Sequence, residues 1–334
     1  DASLSDLEIL CNESQERMGL LIAEKDRELV EAIAERERSP MYVVGKVETS
    51  ERITFSHRNG NKPFDLPTKT LFGSSPKTVL TDTTKPLTDP AVEINIDSAT
   101  QFKQCLQQVL SLEAVASKDW LTNKVDRSVN GRVALQQCAG PLQLPVNNCG
   151  VVALDFTGTS GIATALGHAP AIGMLDERAG SVLSVAEALT NLVWAPLGKG
   201  LAGVALSANW MWPAKRPGEN ARLYRAVEAL SRFCQDLNIP VPTGKDSLSM
   251  TMTYADGAEV RSPGTVIVTA VGVVDAVKKC VSAAARPVDS RLLYLDWSSL
   301  KSFPLGASAL LQTRGQLVSE PPTVANTRYF ASCF

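Results

Sequence analysis

Glu187 and Asn191 lie four residues apart in SVLSVAEALTNLVW (181–194), where apolar residues recur with a helical period. On a helix they sit one turn from each other on a shared face. At 100° per residue that face points away from the Val182, Val185, Leu189 stripe. Two oxygen donors so placed suit a hard cation such as Mg²⁺, itself bridging nucleotide phosphates. An ordinary polar helix face explains the pair equally well, and on residue evidence alone is the simpler account. A second constellation is Thr243-Gly244-Lys245-Asp246-Ser247, between a helix and a strand. Its glycine lets backbone approach a phosphate and its lysine brings a point charge, although a turn that happens to carry a lysine needs no ligand. A third is Asn12-Glu13-Ser14-Gln15-Glu16-Arg17, six polar residues between apolar runs, either a ligand-binding loop or an exposed one. The two histidines, His57 and His168, stand in no nucleophile motif and read as surface or loop residues.

These residues need elements to hold them. The chain has 334 residues, room for two domains or for one and two partial ones. With 44% hydrophobic and 20% charged residues it has the composition of a globular protein. A net charge of −2 leaves no basic surplus for a phosphate backbone, so nucleic acid is not expected as a partner. No apolar run approaches the roughly 20 residues of a membrane span. The opening residues, DASLSDLEIL, lack the basic and apolar regions of a signal peptide. Seven scattered cysteines, odd in number and without a CxxC, fit a reducing cytoplasm better than a disulfide framework or a zinc site. Walker A, GxGxxG, HExxH and EF-hand patterns are absent from the sequence.

Apolar runs at the two ends of 7–21 predict strands around a polar loop, and 22–38 predicts a helix with Leu29, Val30, Ile33 and Ala34 on one face. MYVVGKV (41–47) and RITFS (52–56) predict strands. Residues 58–96, rich in Thr, Pro, Lys, Gly and Ser, read as an extended connection. A helix capped by Ser98 or Asp97 follows, with Phe102, Cys105, Leu106, Val109 and Leu110 on its apolar face. CGVVALDF (149–156) and TVIVTAVGVV (265–274) read as buried strands. Residues 219–237 form a helix through Leu223, Val227, Leu230, Cys234 and Leu237. SAAARPVDS marks a boundary, after which RLLYLDW (291–297) starts a strand and LGASALLQ (305–312) a helix. The class is α/β or α+β. One strand and one helix bury no core, so 291–334 reads as the opening of a truncated domain.

Five stretches together carry a resemblance: LEILCNESQERM (7–18), VASKDWLTNKVDRSVNGRVALQQCAGPLQ (115–143), AEALTNLVWA (186–195), LSANWMWPAK (206–215) and TGKDSLSM (243–250). In order and spacing the chain resembles the large, single-chain form of the formylglycinamide ribonucleotide amidotransferase family. The resemblance implies a fold like aminoimidazole ribonucleotide synthetase, with paired α/β domains A and B, here truncated. Residues 1–90 would be the end of the first B domain plus a linker, 97–283 the second A domain, and 290–334 the start of the second B domain. The first A domain and the glutaminase domain would be missing. The implied reaction is an ATP- and glutamine-dependent carbon–nitrogen ligation of purine synthesis. ATP phosphorylates the formamide oxygen of formylglycinamide ribonucleotide, and ammonia from glutamine displaces the phosphate.

Roles carry over by the same resemblance. Glu13, Ser14 and Gln15 match a stretch contacting the ribonucleotide. Gly244 and Ser247 match positions touching ATP and substrate. Lys245 stands where small-subunit relatives have a metal-binding Asn; an ammonium cannot ligate Mg²⁺ and would act on phosphate. Lys118, Glu187 and Asn191 match a second, non-catalytic site that holds ADP and Mg²⁺ for structure. Asn148 replaces an Asp ligand and brings an oxygen without charge, and a further Asp ligand would lie past residue 334, so the metal site is doubly depleted. The alternative is a non-catalytic nucleotide-binding or assembly module of the same superfamily. Another ATP user, a kinase or selenophosphate-type enzyme, fits ESQER and DRSVNG less well. An A domain without its twin exposes apolar surface, which implies self-association.

Overall fold

The structure, a computed structural model, describes residues 3–13, 16–84, 94–124, 127, 131–297, 304–317 and 320–334. It divides into two units, 1–79 and 80–334.

The first unit holds α1 (Asp6–Leu10), α2 (Arg27–Arg36), β1 (Arg52–Phe55), β2 (Phe64–Pro67) and α3 (Thr68–Leu71). Ser5 and Glu8 form a capping box, which makes 6–10 a helical turn where the apolar run predicts a strand. MYVVGKV forms no strand, and Val44 is 96% exposed, so strong β-formers here have no partner strand to pair with. The predicted connection contains β2, which pairs antiparallel with β1 through Phe55 opposite Phe64, rings 5.5 Å apart and edge to face. His57 bonds Asp6 at 2.6 Å, a structural role for a histidine in no motif. None of this unit's described residues is buried.

The second unit contains α4 (Ala99–Ser111), α5 (Asp119–Thr122), β3 (Val133–Leu135), β4 (Cys149–Ala153), β5 (Gly161–His168), α6 (Pro170–Leu175), α7 (Glu177–Leu192), β6 (Val204–Met211), α8 (Glu219–Leu237), β7 (Thr243–Ser247), β8 (Thr251–Thr253), β9 (Glu259–Arg261), β10 (Thr265–Val274), α9 (Ala309–Gln312) and α10 (Thr327–Ser332). Its main sheet has the order β3-β4-β5-β10-β6-β7; the pairs are antiparallel except β6 with β7.

Helix α7 lies against β5 and β10 and packs on α8. It is buried nearly all round, because small residues face each other across the contact: Ala163, Ala165 and Gly167 on β5, Ser184 and Ala188 on α7. A Cβ at Gly167 would stand 2.1 Å from the Ser184 carbonyl oxygen and 2.3 Å from the Ala188 nitrogen. Close approach of helix to strand therefore requires glycine there. The other face of β5 is open, and β10 is buried on one face rather than on both as predicted. Ile162, Leu166, Val271 and Val273, on the outward side of these neighbouring strands, are 37–58% exposed.

Helix α8 matches its predicted span, but Ala226 and Phe233 take the buried positions and Val227 is exposed. Its N-terminus is capped from a distance. The Asp82 carboxylate accepts from the backbone N–H groups of Gly218 (2.8 Å), Asn220 (3.0 Å) and Ala221 (3.3 Å). These bonds, first that from Gly218, hold the Asp82 carboxyl below its usual range. Gly218 has φ of +91°, which favours glycine. We expect Asp82→Ala to lower the thermal midpoint of this unit and to speed amide exchange at 218–221; unchanged exchange there would contradict the cap. RLLYLDW forms no strand; it lies as an irregular segment along the unit.

Candidate functional site

Strand β4 begins at Cys149, opposite Ala165, while β5 runs on to His168. The last residues of β5 therefore have no β4 partner. Two side chains of α7 take its place. Asn191 donates its amide nitrogen to the Leu166 carbonyl at 2.8 Å, and Glu187 Oε2 accepts from the His168 backbone N–H at 2.6 Å. The His168 ring nitrogen Nδ1 stands 3.7 Å from the same carboxylate oxygen. Residues at positions i and i+4 of a helix match the spacing of residues i and i+2 of a strand, about 6–7 Å. That is why an E-x-x-x-N pair fits a bare strand edge.

This anchoring orients what remains. With the Asn191 amide nitrogen engaged, its carbonyl oxygen is the atom able to ligate, and Glu187 keeps a second carboxylate oxygen. Asn148 is exposed and immediately precedes β4, so chain connectivity brings it to the same edge of β5. Its neighbour Asn147 is the structural one, bonding the Gln136 carbonyl (2.8 Å) and the Ala283 N–H (2.9 Å). Cys149 is inert: burial, with Cys280 nearby, pushes its thiol up to about 11. Among the described residues no cluster of three or more His, Cys, Asp or Glu is positioned for a metal. One carboxylate and two amide oxygens from Glu187, Asn191 and Asn148 would suit Mg²⁺ only as a partial shell, to be completed by phosphate and water.

Beside this edge lies a hollow of about 570 Å³, within the range of small-molecule sites. His168, Glu187 and Thr190 line one wall; Leu295, Trp297 and Val324 are in the other. Ala114, four residues before Lys118, also lines it. Lys118 itself is half-buried and donates to the Ala116 carbonyl at 2.9 Å.

The second constellation lies elsewhere. Thr243–Ser247 is an edge strand, not a turn, paired with β6 so that Lys245 stands opposite Asn209 and Ser247 opposite Met211. Lys245 and Asn209 share the outward face, where the Asn209 side-chain oxygen is buried without a hydrogen-bond partner among the described residues. Gly244 is required by close strand approach: a Cβ there would lie 2.2 Å from the Ala208 oxygen. From β5 to β7 is three strand spacings, roughly 14 Å, so the two constellations are separate places on one sheet. Glu13 is exposed in the first unit; Ser14 and Gln15 fall outside the described residues. His168, expected as a surface or loop residue, ends β5 and lines the hollow, and so does Trp297, which no motif marks.

Residues 117–273 match the model of the FGAR-AT PurM_N-like domain, and residues 1–58 that of the AIR synthase related protein, C-terminal domain. A phosphoribosylformylglycinamidine synthase of Drosophila melanogaster is 36% identical over all of this chain and 26% of its own length. The Dictyostelium discoideum protein of the same name is 38% identical over 96% of this chain and 24% of its own. The chain thus spans about a quarter of the length of these relatives. Among solved structures, Thermotoga maritima PurL complexed with ATP superposes with a TM-score of 0.52, at 18% identity, over 82% of this chain and 40% of that one. That likeness shows a mixed α/β fold of the AIR synthase type. No described helix is long and apolar enough to cross a membrane. Along 96–100% of its length the chain is thus homologous to a segment, about a quarter of the full length, of the phosphoribosylformylglycinamidine synthases of two organisms.

Proposed function

We propose that the chain contributes part of the synthetase core of a cytoplasmic, ATP- and glutamine-dependent ligase that converts formylglycinamide ribonucleotide to its amidine. Within it, the edge of β5 holds a nucleotide and Mg²⁺. One observation carries this reading: Glu187 and Asn191 are both fixed on the same bare strand edge, and Glu187 also lines a hollow of small-molecule size. Mg²⁺ bound there would offset phosphate charge. Glu187, Asn191 and Asn148 would hold it by oxygen, and Lys118 would turn from the Ala116 carbonyl to a phosphate. Lys245, with Gly244 and Ser247, would serve ATP and ribonucleotide at the other end of the sheet. By the resemblance alone, Glu13, Ser14 and Gln15 would contact the ribonucleotide. In the relatives' domain plan, 1–90 completes a first B domain, 97–283 is a second A domain and 290–334 opens a second B domain. The first A domain and the glutaminase domain belong to the rest of the enzyme.

Three physical consequences are testable. By itself the chain has no synthetase or glutaminase turnover. ADP with Mg²⁺ binds weakly, because Asn148 brings no charge, and Glu187→Gln removes the metal dependence. Calorimetry with ADP, with and without Mg²⁺, reads both. Micromolar or tighter metal-dependent affinity would contradict the depleted shell, and a Glu187→Gln variant retaining full metal dependence would contradict the site.

The alternative, an assembly module without ligand, is favoured by the outward sheet face with Ile162, Leu166, Val271 and Val273. Both readings expect self-association through that face. Light scattering should show a concentration-dependent dimer lost in Leu166→Lys with Val273→Lys; a monomer at all concentrations excludes it.

A further inference from the structure

The hollow beside β5 is lined mainly by apolar residues, with His168, Glu187 and Thr190 among those from β5 and α7, and its C-terminal wall is built rather than incidental. Trp297, half-buried in an irregular segment, belongs to that wall. The indole N–H donates to Cys333 Sγ at 3.4 Å, so the polar atom of the ring is already engaged within the fold. The ring meets Phe330 edge to face, centroids 5.1 Å apart, and Phe330 is fully buried against Phe233 of α8 at 5.8 Å. The Trp297 carbonyl accepts from the Ala325 N–H at 3.0 Å, tying the segment to the 322–324 stretch that completes the wall. With its N–H engaged, the indole can meet a ligand through its ring, a surface suited to a flat heteroaromatic ring. Glu187 and Thr190 of α7 line the same hollow, where metal and phosphate would sit.

We propose that the hollow takes a purine base against the indole of Trp297, with the sugar directed to the Glu187 end. The inference rests on the nucleotide reading above and adds to it the place of the base.

The experiment compares adenosine, ADP and inorganic pyrophosphate, each with Mg²⁺, on the chain and on Trp297→Ala, Trp297→Phe and Glu187→Gln. Trp297→Ala should weaken adenosine and ADP by about 5- to 150-fold, the worth of one base–aromatic stack, and leave pyrophosphate unchanged. Trp297→Phe should keep most of the affinity. Adenosine should quench tryptophan emission in the parent chain and much less in Trp297→Phe, a comparison that stands even where Trp297→Ala fails to fold. Adenosine binding unchanged in a folded Trp297→Ala, or quenching in Trp297→Phe equal to that of the parent, with ADP still Mg²⁺- and Glu187-dependent, would overturn the base assignment and leave the nucleotide site standing. No Mg²⁺-dependent ADP binding by the parent chain would overturn both.

Discussion

Replacing Glu177 by leucine should cost the sheet-containing unit roughly 3–5 kcal/mol of stability, the range for removing one partner of a buried charge cluster. Glu177 is 8% exposed at the first turn of α7. It pairs with Arg222 at 3.3 Å and with Arg225, both from α8. Arg222 also reaches the Gly173 carbonyl at 2.6 Å and Glu219 at 3.2 Å, and Glu219 accepts the Trp212 indole N–H at 2.9 Å. Without the carboxylate, two guanidiniums stay largely buried with one fewer counter-charge between them. Burial by itself would raise the Glu177 carboxyl, but the Arg225 hydrogen bond, its own backbone N–H and the charges of Arg225 and Arg222 outweigh it, so the net shift is downward. A carboxyl lowered by folding stabilises above its ordinary value of 4.5, and the contribution fades as pH falls through the lower folded value. Urea unfolding should therefore show the full gap between parent and variant at pH 7 and a shrinking one in acid. A gap below about 1 kcal/mol at pH 7, the scale of an exposed pair, would mean the cluster is not buried in solution.

Gly167→Ala should be nearly as damaging, and should reach the site as well. The added methyl meets the α7 backbone, which cannot rotate away as a side chain would. Overpacking of this kind costs typically about 1–3 kcal/mol and more where backbone must shift. Because Glu187 and Asn191 hold β5 from α7 on either side of this contact, separation of helix and strand lengthens both hydrogen bonds. The His168 amide should lose protection in hydrogen exchange and nucleotide binding should fall together with stability. Full protection at His168 in this variant would show that helix and strand do not pack as described.

Long periodic segments were legible. The helices α4 and α8 form where the apolar spacing puts them, and the Ser98 cap follows from its side chain, although no residue of α4 is buried and Ala226 and Phe233 join the buried face of α8. Other elements were hidden for physical reasons. GIATALGH reads as nothing in particular because close packing on α7 demands small residues, not strong β-formers. TGKDS is a strand because β6 offers it a parallel edge, a tertiary cause that no local propensity records. Conversely, MYVVGKV has the propensity and lacks the partner. In the candidate site, the Glu187 and Asn191 spacing was readable, but their anchoring depends on where β4 begins, and that is set by pairing between distant segments.

Metal and nucleotide, as proposed, meet at the bare edge of β5. His168 makes this directly measurable, since its ring lies beside Glu187. Mn²⁺ with ADP, added in small amounts, should broaden the ring resonances of His168, and Glu187→Gln should abolish the effect. Binding of Mn²⁺ and ADP that leaves His168 sharp would place the nucleotide elsewhere and contradict the account.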